Sequence, residues 1–102
     1  MSDTPQVSKN EQANRYEVER DGRTAILEYS VEGDRVSFAH TVVPEDMESQ
    51  GIGSAMARRA LDDAREQGLT VLPFCSFVSA FIRRHPEYLD MVPQEKRALF
   101  GL

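Results

Sequence analysis

The sequence is poor in the residues and segments that define several common classes of protein. Only one of its 102 residues, Cys75, is a cysteine, which excludes an internal disulfide and a zinc site built from several cysteines. Residues 1–14 are polar and contain no apolar core of a signal peptide. No apolar run approaches the ~18 residues that cross a membrane. We therefore expect a cytoplasmic protein that does not contact membranes.

The acidic balance of the chain argues against a role in binding nucleic acid. Its formal net charge is −5 at pH 7, whereas nucleic-acid binders need a basic field to displace the counterions of the phosphates. Hydrophobic residues make up 40% of the chain, which is enough for a single core. The length suits one domain. We expect one small domain without a nucleic-acid partner.

The chain divides into a short leader and a domain that opens with strands. Residues 1–14 show no periodic pattern and are predicted to be a disordered leader, followed by one domain over residues 15–102. Alternating apolar and polar residues predict a strand that begins at Tyr16, a second over Thr24–Val31 and a third over Arg35–Val43. Turn residues separate the strands, at Asp21-Gly22 and at Glu32-Gly33-Asp34. Together they predict an antiparallel meander.

The alternation also predicts which side chains share a face of the sheet. In the second strand one face holds Ala25, Leu27, Tyr29 and Val31. In the third strand one face holds Val36, Phe38, His40 and Val42. The periodicity alone therefore places His40 among apolar neighbours.

Helical patterns follow Pro44, which ends the third strand. A helix is predicted from Gly51 to Gln67, with a buried stripe of Ile52, Met56, Ala60, Leu61 and Ala64. A short strand over Leu69–Phe74 precedes a second helix capped by Ser76. A last short helix is predicted near Gln94–Leu99. The order is β-β-β-α-β-α, an α+β fold with helices covering one sheet.

The strongest chemical signal is the glycine turn, Gln50-Gly51-Ile52-Gly53-Ser54, which opens the first helix. A helix N-terminus has unpaired N–H groups and partial positive charge. Glycines remove the Cβ atoms that would keep an anion away, and Ser54 adds a hydroxyl, so the turn suits a phosphate. A flexible connection with glycines chosen only for the turn explains the same pattern. No lysine follows as in a Walker loop, and the third glycine of a dinucleotide fingerprint is missing.

Four separated motifs resemble a known family. The stretch from Glu48 to Ala55 resembles the acyl-CoA loop of the GNAT superfamily of N-acyltransferases, whose usual pattern begins with Gln or Arg where Glu48 stands here. A narrower resemblance, to the short single-domain branch of YjdJ type, covers roughly Ala13 to Asp90. It rests on the glycine turn and on His40-Thr41-Val42-Val43-Pro44, Leu72-Pro73-Phe74-Cys75-Ser76-Phe77-Val78 and Arg84-His85-Pro86-Glu87-Tyr88.

The resemblance implies a minimal GNAT-like core that binds acetyl-CoA, or coenzyme A, as a co-substrate. The third strand and the Leu69–Phe74 strand would run side by side and splay apart at the cofactor cleft. The implied cofactor-binding residues are Thr41, Val42, Val43, Ser49, Gln50, Gly51, Gly53 and Ser54. Because an acid near a pyrophosphate is unexpected, Glu48 is predicted to point away from it. The implied partner is an amine acceptor, either a small molecule or a protein lysine, and the protein is expected to be a monomer or a weak dimer.

Cys75 is the first of two candidate catalytic residues. It precedes a helix N-terminus, a position that favours the reactive thiolate. There it could carry the acyl group or protonate the leaving sulfur. Burial as a small apolar residue, the commonest fate of a free cysteine, is the alternative.

His40 is the second candidate, as a general base near the splay. Its apolar neighbours alone favour a satisfied core histidine instead. Tyr88 could protonate the departing thiolate, although a packing role is preferred. Arg83 and Arg84 could reach the 3′-phosphate, although a charge pair that stabilises the helix C-terminus is preferred. No metal site is predicted, because the two histidines, His40 and His85, are distant in sequence.

Three functions remain open at this point. The first is an enzyme that moves an acetyl group from acetyl-CoA to an amine, by direct attack or through Cys75. The second is an acyl-CoA-binding module with little or no turnover, which the small size favours. The third, a cysteine hydrolase or redox protein, would leave the glycine turn unexplained.

Overall fold

The computed structural model describes residues 5–102, apart from the side chain of Ser49. A five-stranded sheet has the order β1-β2-β3-β4-β5, with strands β1 (Ser8–Asn10), β2 (Arg15–Arg20), β3 (Arg23–Glu32), β4 (Arg35–Val42) and β5 (Thr70–Leu72). Two α-helices, α1 (Ile52–Glu66) and α2 (Ser76–Arg84), follow β4 and β5. Three 3₁₀ helices cover Glu45–Gln50, Pro86–Met91 and Gln94–Phe100. The predicted α+β class and element order are confirmed, with β1 as an additional strand.

The strand β1 lies within the leader that we predicted to be disordered. Ser8–Asn10 pairs with β2 in antiparallel register, Ser8 opposite Glu17. The Asn10 amide donates to the Glu17 carboxylate at 3.1 Å, and the Arg59 guanidinium donates to the Val7 carbonyl at 3.0 Å. The prediction is therefore wrong for this segment, because three residues are too few to show an alternating pattern. Residues 1–4 of the predicted leader lie outside the described residues.

The antiparallel meander of β2, β3 and β4 is confirmed. Asp21 and Gly22 have φ values of 53° and 76°, the left-handed pair that a two-residue hairpin turn requires. The inward face of β3 carries Ala25 and Leu27, both fully buried. Further along that face, Tyr29 packs beside Tyr16, with 5.4 Å between the ring centroids.

A β-bulge in β4 corrects the predicted face of His40. The pairing with β3 moves from Tyr29–Phe38 to Glu28–His40, so Ala39 is an extra residue on β4. One extra residue reverses the alternation. Thr41 consequently lies opposite the buried Leu27, and His40 turns to the exposed face. The predicted shared face is therefore wrong, because Val36 and Phe38 face the core whereas His40 and Val42 face the other side of the sheet.

The helix α1 covers the sheet as predicted. Its predicted stripe is buried throughout, and it contacts β2, β3 and β5. The Tyr16 hydroxyl donates to the Asp63 carboxylate of α1 at 2.9 Å, and burial and this bond together raise the pKa of Tyr16. Gly68, with φ 69°, closes the helix in the left-handed conformation.

The second half of the chain departs from prediction in detail. The strand β5 is parallel to β4, and their ladder ends at the pair Ser37–Leu72, whereas β4 continues to Val42. This is the splay that the resemblance implied. Cys75, rather than Ser76, is the N-cap of α2. The last predicted helix is a 3₁₀ helix, Gln94–Phe100.

Candidate functional site

A cleft lies between the end of β4 and the start of α1. Its volume is about 480 Å³, which falls in the range of small-molecule sites. It is lined by backbone and side chains from β4, from the loop before α1, from α1 and from α2, namely Thr41, Val42, Val43, Glu48, Gly51, Gly53, Ser54, Phe77 and Arg84. Six of the eight predicted cofactor-binding residues thus meet in one place.

The other two predicted residues are Ser49 and Gln50. The side chain of Ser49 lies outside the described residues. The Gln50 amide oxygen accepts a hydrogen bond from Arg20 at 2.6 Å, and its nitrogen donates to the Asp46 carbonyl at 3.2 Å. The Gln50 side chain therefore braces the loop that leads to α1.

The two glycines of the turn differ in what they do. Gly51 is the N-cap of α1 and has φ 72°, a conformation that side chains disfavour. Gly53 is buried against α2, since a Cβ atom built on it would lie 2.5 Å from the Phe77 ring. The sequence predicted that both glycines give an anion access or only serve the turn. Gly53 lines the cleft and also lets α2 pack closely on α1.

The N-terminus of α1 offers hydrogen-bond donors to the cleft. The first intrahelical bond runs from the Ala55 N–H to the Gly51 carbonyl at 3.0 Å. The N–H groups of Ile52, Gly53 and Ser54 precede it, and those of a first helical turn need acceptors outside the helix. These donors, with the Ser54 hydroxyl and the Arg84 guanidinium, form a set that suits a phosphate. Phe77 adds an apolar wall.

Cys75 contacts Thr41 of the cleft wall and is hydrogen-bonded to β4. Its N–H donates to the Phe38 carbonyl at 2.7 Å, so the backbone of Cys75 remains attached to β4 beyond the last ladder pair. Its sulfur is 3.0 Å from the Thr41 hydroxyl, and either atom could donate. The thiol is partly buried. Because the bulge turns Thr41 toward the helices, its hydroxyl and the Cys75 thiol lie on the same side of the sheet.

The Thr41–Cys75 contact is the feature that sequence reasoning missed. Thr41 was predicted only as part of a strand that pairs with the cofactor. The two residues are 34 positions apart in the sequence. They lie on the same side of the sheet because of the bulge at Ala39, and no local sequence pattern predicts that bulge.

His40 stands apart from the cleft wall. It is exposed, opposite Glu28 in the β3–β4 register. The alternative of a satisfied core histidine is therefore wrong. Its predicted role as a general base remains a prediction.

The His-Pro-Glu-Tyr motif binds the end of the chain to α1. The Tyr88 hydroxyl donates to the Asp62 carboxylate at 2.8 Å and accepts from Arg58 at 3.1 Å. The guanidinium of Arg58 also lies 3.4 Å from the Nδ1 atom of His85. Burial, followed by the bond to Asp62, raises the pKa of Tyr88. This geometry supports the packing role that we preferred for Tyr88.

The two charged residues of the cleft wall are Glu48 and Arg84. Glu48 was predicted to point away from the pyrophosphate and to contribute only its backbone, which remains a prediction. Arg84 was assigned with Arg83 to a charge pair at the helix end, yet only Arg84 lines the cleft. The sequence spacing could have predicted the position of Arg84, because Phe77 and Arg84 are seven residues apart and so share one face of α2.

Among residues 5–102, no helix is long and apolar enough to cross a membrane. Within the same range, no group of three or more His, Cys, Asp or Glu side chains is placed to hold a metal ion.

Comparison with known proteins decides the family. The family model of GCN5-related N-acetyl-transferases matches residues 15–91. The chain belongs to this family. A GCN5-related N-acetyltransferase transfers an acyl group, so the chain is an acetyltransferase by family.

A solved structure shows the same acetyltransferase fold at similar size. The solution structure of a GCN5-like protein from Staphylococcus aureus matches with a TM-score of 0.69 and 24% sequence identity. The match covers 91% of each chain. The shared fold therefore extends over nearly the whole of both chains.

Proposed function

We propose that the cleft binds acetyl-CoA and that the chain transfers its acetyl group to an amine. The observation that carries the proposal is that the glycine turn and the free end of β4 meet around one cleft, and that the Cys75 sulfur contacts Thr41 of its wall. Each was singled out in the sequence for a different part of this chemistry.

For binding, we assign one role to each of the three parts of the cleft, the N-terminus of α1, the end of β4 and Phe77 of α2. The N-terminus of α1 receives the pyrophosphate, because its N–H groups and its partial positive charge are both directed at an anion. The backbone of Thr41, Val42 and Val43, beyond the ladder with β5, pairs with the amides of the pantetheine arm. Phe77 contacts the apolar part of that arm.

The chemical half has two routes. In direct transfer, the amine nitrogen attacks the acetyl carbonyl and the bond to the coenzyme sulfur breaks. The nitrogen loses a proton and the leaving sulfur gains one, which the Cys75 thiol can supply and later recover. In this route His40, next to Thr41 but on the exposed face of β4, is the proposed acceptor of the amine proton, which requires the amine to approach from that face.

In the covalent route the Cys75 thiolate attacks the acetyl carbonyl first. The bond to the coenzyme sulfur breaks, and coenzyme A leaves as a thiol after taking up a proton. The amine then attacks the Cys75 thioester, which gives the amide and returns the Cys75 thiol. In both routes the Thr41 hydroxyl, 3.0 Å from the Cys75 sulfur, orients that sulfur.

Release of free coenzyme A, measured with and without a panel of amines, polyamines and protein lysines, tests the proposal. Release that depends on an amine supports acetyl transfer. Binding without release, seen as a rise in melting temperature with acetyl-CoA, would indicate the acyl-CoA-binding module. Repeated turnover without any amine would indicate hydrolysis, whereas release of a single equivalent of coenzyme A per chain is the acylation step of the covalent route. If acetyl-CoA neither bound to the chain nor released coenzyme A, the proposal would be contradicted.

Substitutions then separate the two routes. Intact mass spectrometry after a pulse of acetyl-CoA should show one added acetyl group in the covalent route, and none in the Cys75→Ala variant. If Cys75→Ala turned over at the unsubstituted rate, Cys75 would have no part in catalysis. A pH–rate profile tests His40, since a limb near the ordinary range of histidine should disappear in His40→Ala.

A further inference from the structure

We propose that Arg84 recognises the pyrophosphate of the coenzyme and supplies the side-chain cation that the loop before α1 lacks. This inference rests on the proposed function, since it names the residue that selects the phosphate in the same cleft. The loop has an acid, Glu48, at the position where the family pattern usually has Gln or Arg. Arg84 reaches the cleft from α2 instead.

The adjacent residues Arg83 and Arg84 differ in what their side chains face. Arg83 and Arg84 both lie in the last turn of α2, where successive side chains point about 100° apart. The Arg83 guanidinium donates to the Gly101 carbonyl at 3.3 Å and so holds the C-terminal segment. Arg84 lies on the same face of α2 as Phe77, and both line the cleft. The same charge therefore serves packing at one position and faces the cleft at the next.

Arg84 also differs from most of the arginines in what its side chain contacts, since among the described residues it shares its lack of a hydrogen bond or ion pair only with Arg35 at the start of β4. Arg15, Arg23, Arg58, Arg59 and Arg65 form ion pairs. Among the side chains that the structure describes, Arg84 makes no hydrogen bond or ion pair. Its donors are thus available to an anion, and the planar fork of a guanidinium can donate two parallel hydrogen bonds to phosphate oxygens.

The position within the cleft favours the pyrophosphate over the 3′-phosphate. Arg84 lines the same cleft as Gly51, Gly53 and Ser54, which open α1. The donors of α1 and the Arg84 guanidinium therefore converge on one anion. Glu48 is the second charged residue of the wall, and the cation opposes its repulsion of that anion.

Calorimetric titration of four chains with coenzyme A and with 3′-dephospho-coenzyme A tests the inference. The chains are the unsubstituted protein, Arg84→Gln, Arg84→Lys and the matched control Arg83→Gln. We expect Arg84→Gln to raise Kd about tenfold for both ligands and Arg83→Gln to change it less than about twofold. Arg84→Lys should fall between, because lysine keeps the charge but loses the fork.

The outcomes are distinguishable. If Arg84→Gln weakened coenzyme A but not the dephospho form, the 3′-phosphate would be the partner and the inference would be wrong. Equal effects of Arg83→Gln and Arg84→Gln would also overturn it, while the proposed function would stand. If the unsubstituted chain bound neither ligand, the proposed function would fail, and this inference with it. Melting temperatures of all four chains establish that each is folded.

Discussion

The two halves of β4 show how one strand can serve both the core and a site. Before Ala39, the strand lies between β3 and β5, and Phe38 is only 1% exposed. After Ala39, the ladder to β5 has ended, and Val42 is 42% exposed. The first half is therefore held in place by burial in the core. The second half pairs with β3 on one edge, and its other edge, which β5 has left, faces the cleft.

The difference between the halves comes from one inserted residue. Without the bulge, Thr41 would face away from the helices and His40 would face into them. With it, Thr41 meets Cys75 and His40 is exposed. Stability should therefore depend on the first half and ligand binding on the second, and substitutions can test that division.

The largest effect is expected in the core half. Phe38→Ala should lower the free energy of unfolding by about 3–5 kcal/mol, because it leaves a cavity under α1. Val42→Ala, the matched change in the cleft half, should cost less than about 1 kcal/mol. Urea unfolding followed by circular dichroism measures both. Similar losses at the two positions would contradict the division.

An intermediate effect is expected where α1 meets α2. In Gly53→Ala the new methyl group collides with the Phe77 ring, a cost of about 1–3 kcal/mol, partly offset by the better helix propensity of alanine, about 1 kcal/mol. We expect a net loss of up to about 2 kcal/mol and weaker acetyl-CoA binding, since the displaced ring lines the cleft.

A double-mutant cycle tests the cause of that loss. In a Phe77→Ala background, Gly53→Ala should become neutral or stabilising by up to about 1 kcal/mol. The same loss in both backgrounds would show that the ring is not responsible.

The smallest effect is expected at Tyr88, which bonds to α1 rather than to β4. Tyr88→Phe removes the hydrogen bond to Asp62 and should cost about 1 kcal/mol at neutral pH, with acetyl-CoA binding unchanged. The pKa of Tyr88 is raised in the folded chain, so its stabilising contribution is present below about pH 10 and is lost as the pH rises above it. Unfolding free energies measured from pH 8 to pH 11 should therefore fall less steeply for Tyr88→Phe than for the unsubstituted chain. An unchanged slope would contradict this account.

Much of the fold could be predicted from local pattern. The meander, the boundaries of α1 to within one residue and its buried stripe follow from alternation, helical period and turn residues. The short strand β1 could not be predicted, because its three residues are held by pairing with β2 rather than by a pattern of their own.

The backbone elements that form the site could be predicted from the sequence, but the contacts of its side chains could be predicted less well. Glycines and a strand end are visible in the sequence, so six of the predicted residues meet in the cleft. The Thr41–Cys75 contact depends on the bulge, and a single extra residue such as Ala39 leaves no periodic trace. Arg84 could have been found from its spacing to Phe77, yet a cation at a helix C-terminus has a sufficient local explanation.

The central claim is that the open half of β4, the start of α1 and one face of α2 together bind acetyl-CoA. Titration of the ¹⁵N-labelled chain with acetyl-CoA, followed by amide chemical shifts, tests it most directly. We predict that saturable shift changes concentrate at Thr41–Val43, Gly51–Ser54, Phe77 and Arg84, while the β3–β4 turn at Gly33-Asp34, at the other end of β4, is unchanged. No shift at millimolar ligand, or changes centred away from these residues, would contradict the claim.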